Sequence, residues 1–427
     1  MAFLTLGSAH PISSNLFSPK NVSPSFSLEL EVKNLDEVNV THKNVLLRLD
    51  LNLPMSNGEV IDSTRIIRSL STINELLQKQ AKIIILSHFG RPKGKINLAY
   101  TLKPIAEHLQ QFVECPVVFA PDCVGDEVKR IITDAPQASI IVLENLRFHE
   151  GEEKNDAAFA KELSSLGQIY INDAFSCTHR AHASVAAICE QLPSYAGRAL
   201  EQELTALQSV LKTPKKPVMA IVGGSKISTK IELLQNLLPR VDYLVIGGGM
   251  ANTFLAAQAV EVGQSLCEDD YIPTAQEILM DAETHDCEIV LPIDVVVTAT
   301  IAPNVESKTV SIDKIAPTQK VVDIGPKSLS RINHFMDQCQ TLVWNGPVGV
   351  FEIEPFDLGS VGLAHHIAAL TKAKKLISVA GGGDTLAALA KADVEKDLSY
   401  TSTAGGAFLE WLEGKKLPGV VALQRGK

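Results

Sequence analysis

At 427 residues the chain has room for two or three domains, and 45% hydrophobic with 21% charged residues is the balance of a globular protein with an ample core. The formal net charge of −10 argues against nucleic acid or an acidic membrane as the main partner, so an anionic ligand must be held by a local cluster of basic groups. Seven scattered cysteines without a C-x-x-C pair suggest neither a disulfide framework nor a zinc site, and reduced thiols in a cytoplasmic compartment are the simpler reading.

Residues 1–35 are expected to form an extension. Met1 to Leu28 is rich in Ser, holds Pro11, Pro19 and Pro24, and has no acidic residue before Glu29. It has no Arg and a single Lys, Lys20, and its prolines oppose an amphipathic helix. A disordered or locally docked extension is therefore expected in preference to a cleaved organellar signal. No apolar run in the chain is long enough to span a bilayer.

From residue 44 strands alternate with helices. Residues 44–50 read as a strand that ends in Leu51-Asn52-Leu53-Pro54, with a turn at Asn57-Gly58. Residues 62–79 read as a helix with Ile66, Ile67, Leu70, Ile73 and Leu77 on one side. Further strands at 82–86, 139–143 and 168–171 end in loops carrying His88-Phe89-Gly90-Arg91, Asn145-Leu146-Arg147 and Asn172-Asp173, the last followed by His179-Arg180-Ala181-His182. Such alternation predicts a parallel sheet covered on both faces, with ligands gathered at the carboxyl ends of its strands. Residues 198–212 form an amphipathic helix, broken by Thr213-Pro214, that reads as a connector into a second domain.

The second half repeats the pattern with glycine at the strand ends: Gly223-Gly224, Gly247-Gly248-Gly249, Asn345-Gly346-Pro347 and Gly381-Gly382-Gly383-Asp384. After Gly223-Gly224 a helix is expected at once, with Ile227, Ile231, Leu234 and Leu238 on its buried face and Ser228 or Thr229 as its cap. Lys226 and Lys230 then lie four apart in a first turn, where the helix dipole is positive and like charges repel. A polyanion reached by both ammonium groups removes that conflict; two solvated surface lysines are the alternative.

The basic groups of the first half sort the same way. Arg65 lies in a first helical turn, a poor place for a cation unless it serves an anion. With Arg91, Arg147, Arg180, His88 and His182 on converging loops, the first domain is expected to bind a small phosphorylated carboxylate, which guanidinium forks match bidentately. Asp50 and Asn52 either hydrogen-bond a substrate hydroxyl or make a strand-end turn. Asp384 either holds Mg²⁺, directly or through water, or caps the helix over 385–391. Glu352 suits a ribose hydroxyl pair, and the glycine-rich start of the helix after Ala404-Gly405-Gly406 could receive a phosphoryl group. No Walker A pattern, G-x-G-x-x-G fingerprint or nucleophile triad is present.

From about residue 44 to 423 these segments resemble the phosphoglycerate kinase family. The resemblance rests on Arg48-Leu-Asp-Leu-Asn-Leu-Pro54, Ser87-His-Phe-Gly-Arg-Pro-Lys-Gly94, Glu144-Asn-Leu-Arg-Phe148 and His179-Arg-Ala-His-Ala-Ser184 in the first half. In the second half it rests on Gly223-Gly-Ser-Lys226 with Lys230, Gly247-Gly-Gly-Met250, Trp344 to Glu352 and Gly381-Gly-Gly-Asp384. The resemblance implies an α/β fold of two Rossmann-like, three-layer parallel-sheet domains, 36–197 and 215–410, joined by a helical hinge at 198–214. It also implies that 411–427 returns to the first domain.

The resemblance further implies 3-phosphoglycerate bound by Asp50, Leu51, Asn52, Arg65, His88, Phe89, Gly90, Arg91, Arg147 and Arg180. ADP or ATP would be bound by Lys230, Asn345, Glu352, Gly382, Gly383, Asp384 and Thr385, with Mg²⁺ on Asp384. Arg65, Lys226, Lys230, Gly383 and Gly406 would stabilise the phosphoryl group in transit. The activity implied is that of glycolysis and gluconeogenesis, 1,3-bisphosphoglycerate + ADP = 3-phosphoglycerate + ATP, in a cytoplasmic monomer. Three positions depart from the family's pattern: Ala404 for glycine, Phe408 for serine, and Arg198 for a bulky apolar residue. They put rate and hinge behaviour in question. The competing expectation is a scaffold or binding protein on the same fold with catalysis impaired.

Overall fold

The computed structural model describes residues 32–426; the expectation for the extension lies outside them up to residue 31. Residues 32–35 already belong to the folded chain. Asn34 bridges Ala196 and its side chain caps a 3₁₀ turn, Leu35–Glu37, whose Leu35 is fully buried.

The first lobe opens with β1 (Asn44–Arg48) and a hairpin, β2 (Met55–Ser56) and β3 (Glu59–Val60), closed through Asn57 and Gly58, both at positive φ. There follow α1 (Thr64–Gln78), β4 (Lys82–Leu86), α2 (Lys103–Leu109), β5 (Val117–Ala120), α3 (Asp126–Asp134) and β6 (Ile140–Leu143). Next come α4 (Glu150–Glu153), α5 (Ala157–Ser164), β7 (Ile169–Asn172) and β8 (Ser194–Ala196). The strands pair in parallel in the order β5-β6-β4-β1-β7-β8. Strands β4, β6 and β7 are buried along their whole length, as a sheet covered on both faces requires.

Helix α1 is turned from its expected face. Ile66, Ser69, Thr72, Ile73 and Leu76 are buried, Leu70 and Leu77 are half-buried, and Ile67 is 56% exposed. Two of the inward residues are polar because they are bonded: Thr72 Oγ1 accepts the Arg198 N–H at 2.8 Å, and Ser69 donates to the Arg65 carbonyl at 3.0 Å. Hydrophobicity alone misplaces such a face.

Helix α6 (Arg198–Leu211) leaves the first lobe. Its first residue is held by three carboxylates, Asp36 at 2.5 Å, Glu75 at 2.7 Å and Glu201 at 2.9 Å, so an arginine here anchors the helix start rather than disturbing it. Beneath it, the buried Asp173 accepts the Leu200 N–H at 3.0 Å, and burial pushes its carboxyl up to about 7. A carboxyl with a raised folded-state pKa stabilises the fold fully below its unfolded pKa, near 4, and loses that contribution as pH rises through the folded value. Thermal scans should therefore show Asp173→Asn raising Tm relative to the parent at pH 8 and not at pH 5. A gain of equal size at both would remove the titration.

The second lobe runs β9 (Val218–Val222), α7 (Ile231–Leu237), β10 (Tyr243–Ile246), α8 (Gly249–Ala257), α9 (Ile272–Thr284) and β11 (Glu288–Val290). A small antiparallel sheet, β12 (Asp294–Thr298), β13 (Lys308–Ser311) and β14 (Lys320–Ile324), is then inserted. The lobe resumes with α10 (Pro326–Met336), β15 (Thr341–Asn345), α11 (Leu358–Lys372), β16 (Ile377–Gly381), α12 (Gly383–Lys391), β17 (Tyr400–Ser402) and α13 (Gly406–Leu412). The main sheet is parallel, ordered β11-β10-β9-β15-β16-β17, a doubly wound arrangement whose switch point lies between β9 and β15.

Helix α14 (Pro418–Arg425) goes back to the first lobe, where the Gly419 N–H meets the Thr178 carbonyl at 2.8 Å. Among the described residues no helix is long and apolar enough to cross a membrane.

Candidate active site

In the first lobe the loops after β1 and β7 flank the switch point, and those after β4 and β6 lie beside them. They enclose a cavity of about 320 Å³. Asp50, Asn52, Arg65, His88, Gly90, Arg91, Arg147 and Arg180 all line it, together with Arg48, Ser176, Cys177, His179 and His182. Thr403 to Gly406 of the second lobe line it too, so the basin faces both lobes.

Leu51 and Phe89 are not brought into it. Leu51 is fully buried and its N–H is taken by Ser87 Oγ at 3.0 Å; Phe89 packs edge-on against Tyr100. Successive residues of an extended strand end point in opposite directions, so the neighbours of a basin residue face the core.

Asp50 makes the strand-end turn expected of it and also meets a cation. Oδ1 accepts the Asn52 N–H at 3.2 Å, making the turn, while Oδ2 faces Arg65 Nη1 at 2.7 Å and accepts from Ser176 Oγ. Arg65 thus has an anion in the protein itself. Asn52 Oδ1 accepts the Gly90 N–H at 2.9 Å, and Arg147 Nη1 donates to the Gly90 carbonyl at 2.8 Å, so the glycine between His88-Phe89 and Arg91 is held from two loops.

Burial first, and crowded cations second, disfavour charge on His88 and His182. Burial, with Arg147, Arg48 and Arg180 nearby, lowers His182 to about 3, and burial with Arg48 and Arg147 holds His88 well below the ordinary range. The positive charge of the basin therefore resides on guanidinium groups, whose mutual repulsion is relieved when an anion enters.

In the second lobe the loops after β9 and β15 touch backbone to backbone. A Cβ on Gly223 would overlap the Pro347 carbonyl oxygen, and Gly346, at φ +99°, would collide with Gly223 in the same way. Around this contact lies a cavity of about 310 Å³ lined by Gly224, Ser225, Gly248, Gly249, Val348, Glu352 and Asp384 among others.

The Asp384 carboxylate is exposed in the first turn of α12 and has no hydrogen-bond or ion-pair partner among the described residues. Gly382, not Asp384, occupies the N-cap, which removes the capping alternative. A single open carboxylate beside a glycine-lined cavity fits a Mg²⁺ that takes its remaining ligands from phosphate and water.

Asn345 and Thr385 act as struts. The Asn345 Nδ2 group donates to the Gly381 carbonyl at 2.8 Å and its Oδ1 accepts from Lys230 Nζ, while Thr385 Oγ1, fully buried, accepts the Gly346 N–H at 2.7 Å. Gly383 stands open, with nothing within 4 Å of where a side chain would begin.

The lysine corner is built differently from its expected form. A 3₁₀ turn, Ile227–Thr229, precedes α7; Lys226 is extended before the turn, and Lys230 is the N-cap of α7. Neither Ser228 nor Thr229 caps that helix. The Ser228 N–H and Oγ both go to Glu268, at 3.0 and 2.7 Å, and Thr229 Oγ1 donates to the Lys226 carbonyl. Pulling Ser228 toward Glu268 delays the helix by one turn and takes both lysines out of it. The buried face of α7 is Leu233, Leu234 and Leu237. Lys226 remains exposed just past the cavity-lining Ser225, and burial lowers the Lys230 pKa.

Two of the departures also find explanations. The left-handed position is Gly405, at φ +50°, and Ala404 is not at positive φ, so its methyl group brings no backbone strain. Phe408 is fully buried and packs on Gly381.

Sequence reasoning missed Arg48, Ser176, Cys177 and His179 in the basin and Ser225 in the cavity, while Gly248 and Gly249 come from a glycine run it had noted. A charged residue ending the apolar run Val45-Leu46-Leu47 was the one available signal for Arg48.

A cationic basin on one doubly wound lobe, faced by a glycine-rich turn of another lobe that carries its own glycine-lined cavity, defines a two-lobed phosphotransferase. Residues 35–415 match the family model described as phosphoglycerate kinase. The phosphoglycerate kinase of Chelativorans sp. (strain BNC1) is 53% identical over 394 residues, covering 92% of this chain and 99% of that protein. Solved structures of phosphoglycerate kinase from Coxiella burnetii (40% identity, TM-score 0.86, 93% of this chain and 100% of that one) and Pyrococcus horikoshii OT3 (28%, 0.77, 92% and 98%) have the same fold. The chain belongs to the phosphoglycerate kinase family.

Proposed function

We propose that this chain carries out 1,3-bisphosphoglycerate + ADP = 3-phosphoglycerate + ATP, the reversible phosphoryl transfer of glycolysis and gluconeogenesis. The observation that carries the reading is the basin itself, where guanidinium groups of one lobe meet Gly405 and Gly406 of the other. Arg65, His88, Arg91, Arg147 and Arg180 hold the phosphate and carboxylate of 3-phosphoglycerate, and Asp50 and Asn52 take its hydroxyl. The nucleotide lies in the second cavity, with Glu352 at the ribose and Lys230, Gly382 and Gly383 at the phosphates. Asp384 would hold Mg²⁺, which supplies charge neutralisation of the nucleotide phosphates when bound.

In the direction of ADP phosphorylation an oxygen of the β-phosphate attacks the acyl phosphate in line. The new O–P bond forms as the bond to the acyl oxygen breaks, and the carboxylate leaves. No proton moves, because both oxygens are ionised at neutral pH, so neither a base nor a nucleophile triad is needed. Arg65, Lys226 and the N–H groups at Gly383 and Gly406 stabilise charge on the phosphoryl group in transit, after closure about α6 brings the cavities together. Arg68 Nη2 to the Thr401 carbonyl, 2.9 Å, is one bond across the lobes that such closure would rework. A monomer in the cytoplasm is the setting we assign.

A coupled assay of ATP formation tests the reading: turnover is expected with Mg²⁺, and none would overturn it in favour of a scaffold. Calorimetry on Asp384→Asn should show Mg-nucleotide affinity weakened about tenfold with 3-phosphoglycerate affinity intact; equal loss of both would remove Asp384 from the metal site.

A further inference from the structure

Beneath the basin a charged hydrogen-bond chain runs through the core of the first lobe. Arg48, at the end of β1, is 1% exposed, and Glu152, in α4, is 0% exposed. Burying two ions is costly unless each is satisfied; Arg48 also donates to the Leu49 carbonyl, and Ser184 links the two ions. Its Oγ accepts from Arg48 Nε at 2.9 Å and donates to Glu152 Oε1 at 2.6 Å, while its N–H reaches Glu152 Oε2 at 2.9 Å. At the far end Arg48 Nη2 meets His88 Nδ1 at 3.0 Å. A guanidinium has donors only, so Nδ1 must be the acceptor and the proton of the neutral ring sits on Nε2. That second nitrogen has no hydrogen-bond partner among the described residues, and His88 lines the basin.

We propose that Glu152, Ser184 and Arg48 are positioning residues that hold His88 as its neutral Nε2–H tautomer, so that the basin presents one fixed hydrogen-bond donor to an oxygen of the bound phosphorylated carboxylate. Any other form serves worse. The Nδ1–H tautomer would aim a lone pair at an anion, and an imidazolium would point an N–H at Arg48 and add a cation to a crowded set. Arg48, Arg147, His182 and Arg65 all disfavour charge on the ring, after desolvation. The Asp50 carboxylate and the Cys177 thiol also lie close to it. Arg48 lies in the basin wall, but its nitrogens are committed to Ser184, the Leu49 and Leu86 carbonyls and His88, so it acts through His88.

The role toward 3-phosphoglycerate rests on the function proposed above; the tautomer does not. The experiment is nitrogen-15 NMR on the ligand-free, histidine-labelled protein, with the His88 signals assigned by their loss in His88→Gln. From about pH 5.5 to 8 the ring should carry its proton on Nε2 alone and not titrate. A proton on Nδ1, or titration in that window, would overturn the proposal without any variant. Arg48→Met leaves Glu152 buried opposite no cation, so the double variant Arg48→Met/Glu152→Gln is the one to make. In it His88 should begin to titrate in the window, and KM for 3-phosphoglycerate at pH 8 should rise about tenfold with kcat within about twofold. Arg48→Lys keeps a donor on Nδ1 and should keep His88 untitrated. If the double variant instead lowers Tm, kcat and both substrate affinities together while His88 still fails to titrate, the chain is merely structural and the proposal falls. Should the tautomer stand while His88→Ala leaves the 3-phosphoglycerate KM unchanged, the ligand assignment of the basin fails and the positioning chain survives.

Discussion

Replacing Lys226 with alanine should lower kcat by about 10²–10³-fold while Mg-ATP affinity changes by no more than a few-fold. Lys226 is exposed on an extended stretch directly after the cavity-lining Ser225, and among the described residues its ammonium has no hydrogen bond or ion pair, only the charge of Glu268 nearby. Lys230, by contrast, is held by Asn345 and lies partly buried. A charge without an ion pair at the edge of the second cavity is expected to do little for the ground state and much for a phosphoryl group between lobes. Single-turnover rates set beside calorimetric nucleotide affinities separate the two. Matched losses in rate and binding would make Lys226 an ordinary nucleotide contact.

The second large effect is expected at Arg65. Arg65→Met should reduce kcat/KM for 3-phosphoglycerate by about three orders of magnitude, because two things are lost at once. The basin loses a guanidinium, and the Asp50 carboxylate, which Arg65 meets at 2.7 Å, is left facing an incoming anion with Ser176 as its remaining side-chain partner. The double variant Arg65→Met/Asp50→Asn should therefore recover part of the KM and little of the kcat. Residues in contact couple in this way, and simple additivity of the two substitutions would show that Asp50 plays no part in the loss. Arg65→Lys should restore charge without the fork, and so restore KM better than kcat.

Much of this site was legible because its chemistry sits at strand ends. The strand at 82–86 matches the structure to the residue, and most of the basin cations could be grouped from loop positions alone. What failed to show in the sequence depends on contacts between distant segments. Helix α1 turns Thr72 inward because α6 bonds to it, α7 starts late because Glu268 captures Ser228, and Leu51 and Phe89 leave the basin because their neighbours line it. The antiparallel insertion of β12, β13 and β14 was missed in part because β13 is largely exposed and lacks the apolar run that marks the main-sheet strands. Glu152 was hidden in the acidic run Glu150-Gly151-Glu152-Glu153, where nothing but burial singles it out.

Helix α14, which packs beside β8 and the turn Ala187–Glu190, has a consequence for the order in which the molecule is made. The second lobe is one uninterrupted stretch, whereas the first is closed by residues synthesised after the whole of its partner. On the ribosome the later lobe can therefore be finished while the earlier one still lacks a wall, with the surface that Val420 and Leu423 will cover open to other chains. Proteolytic nicking between α13 and α14 would cost the first lobe its closing piece and leave the second intact. The cationic basin is thus the last part of the enzyme to become secure, although most of its residues precede the second lobe in the chain.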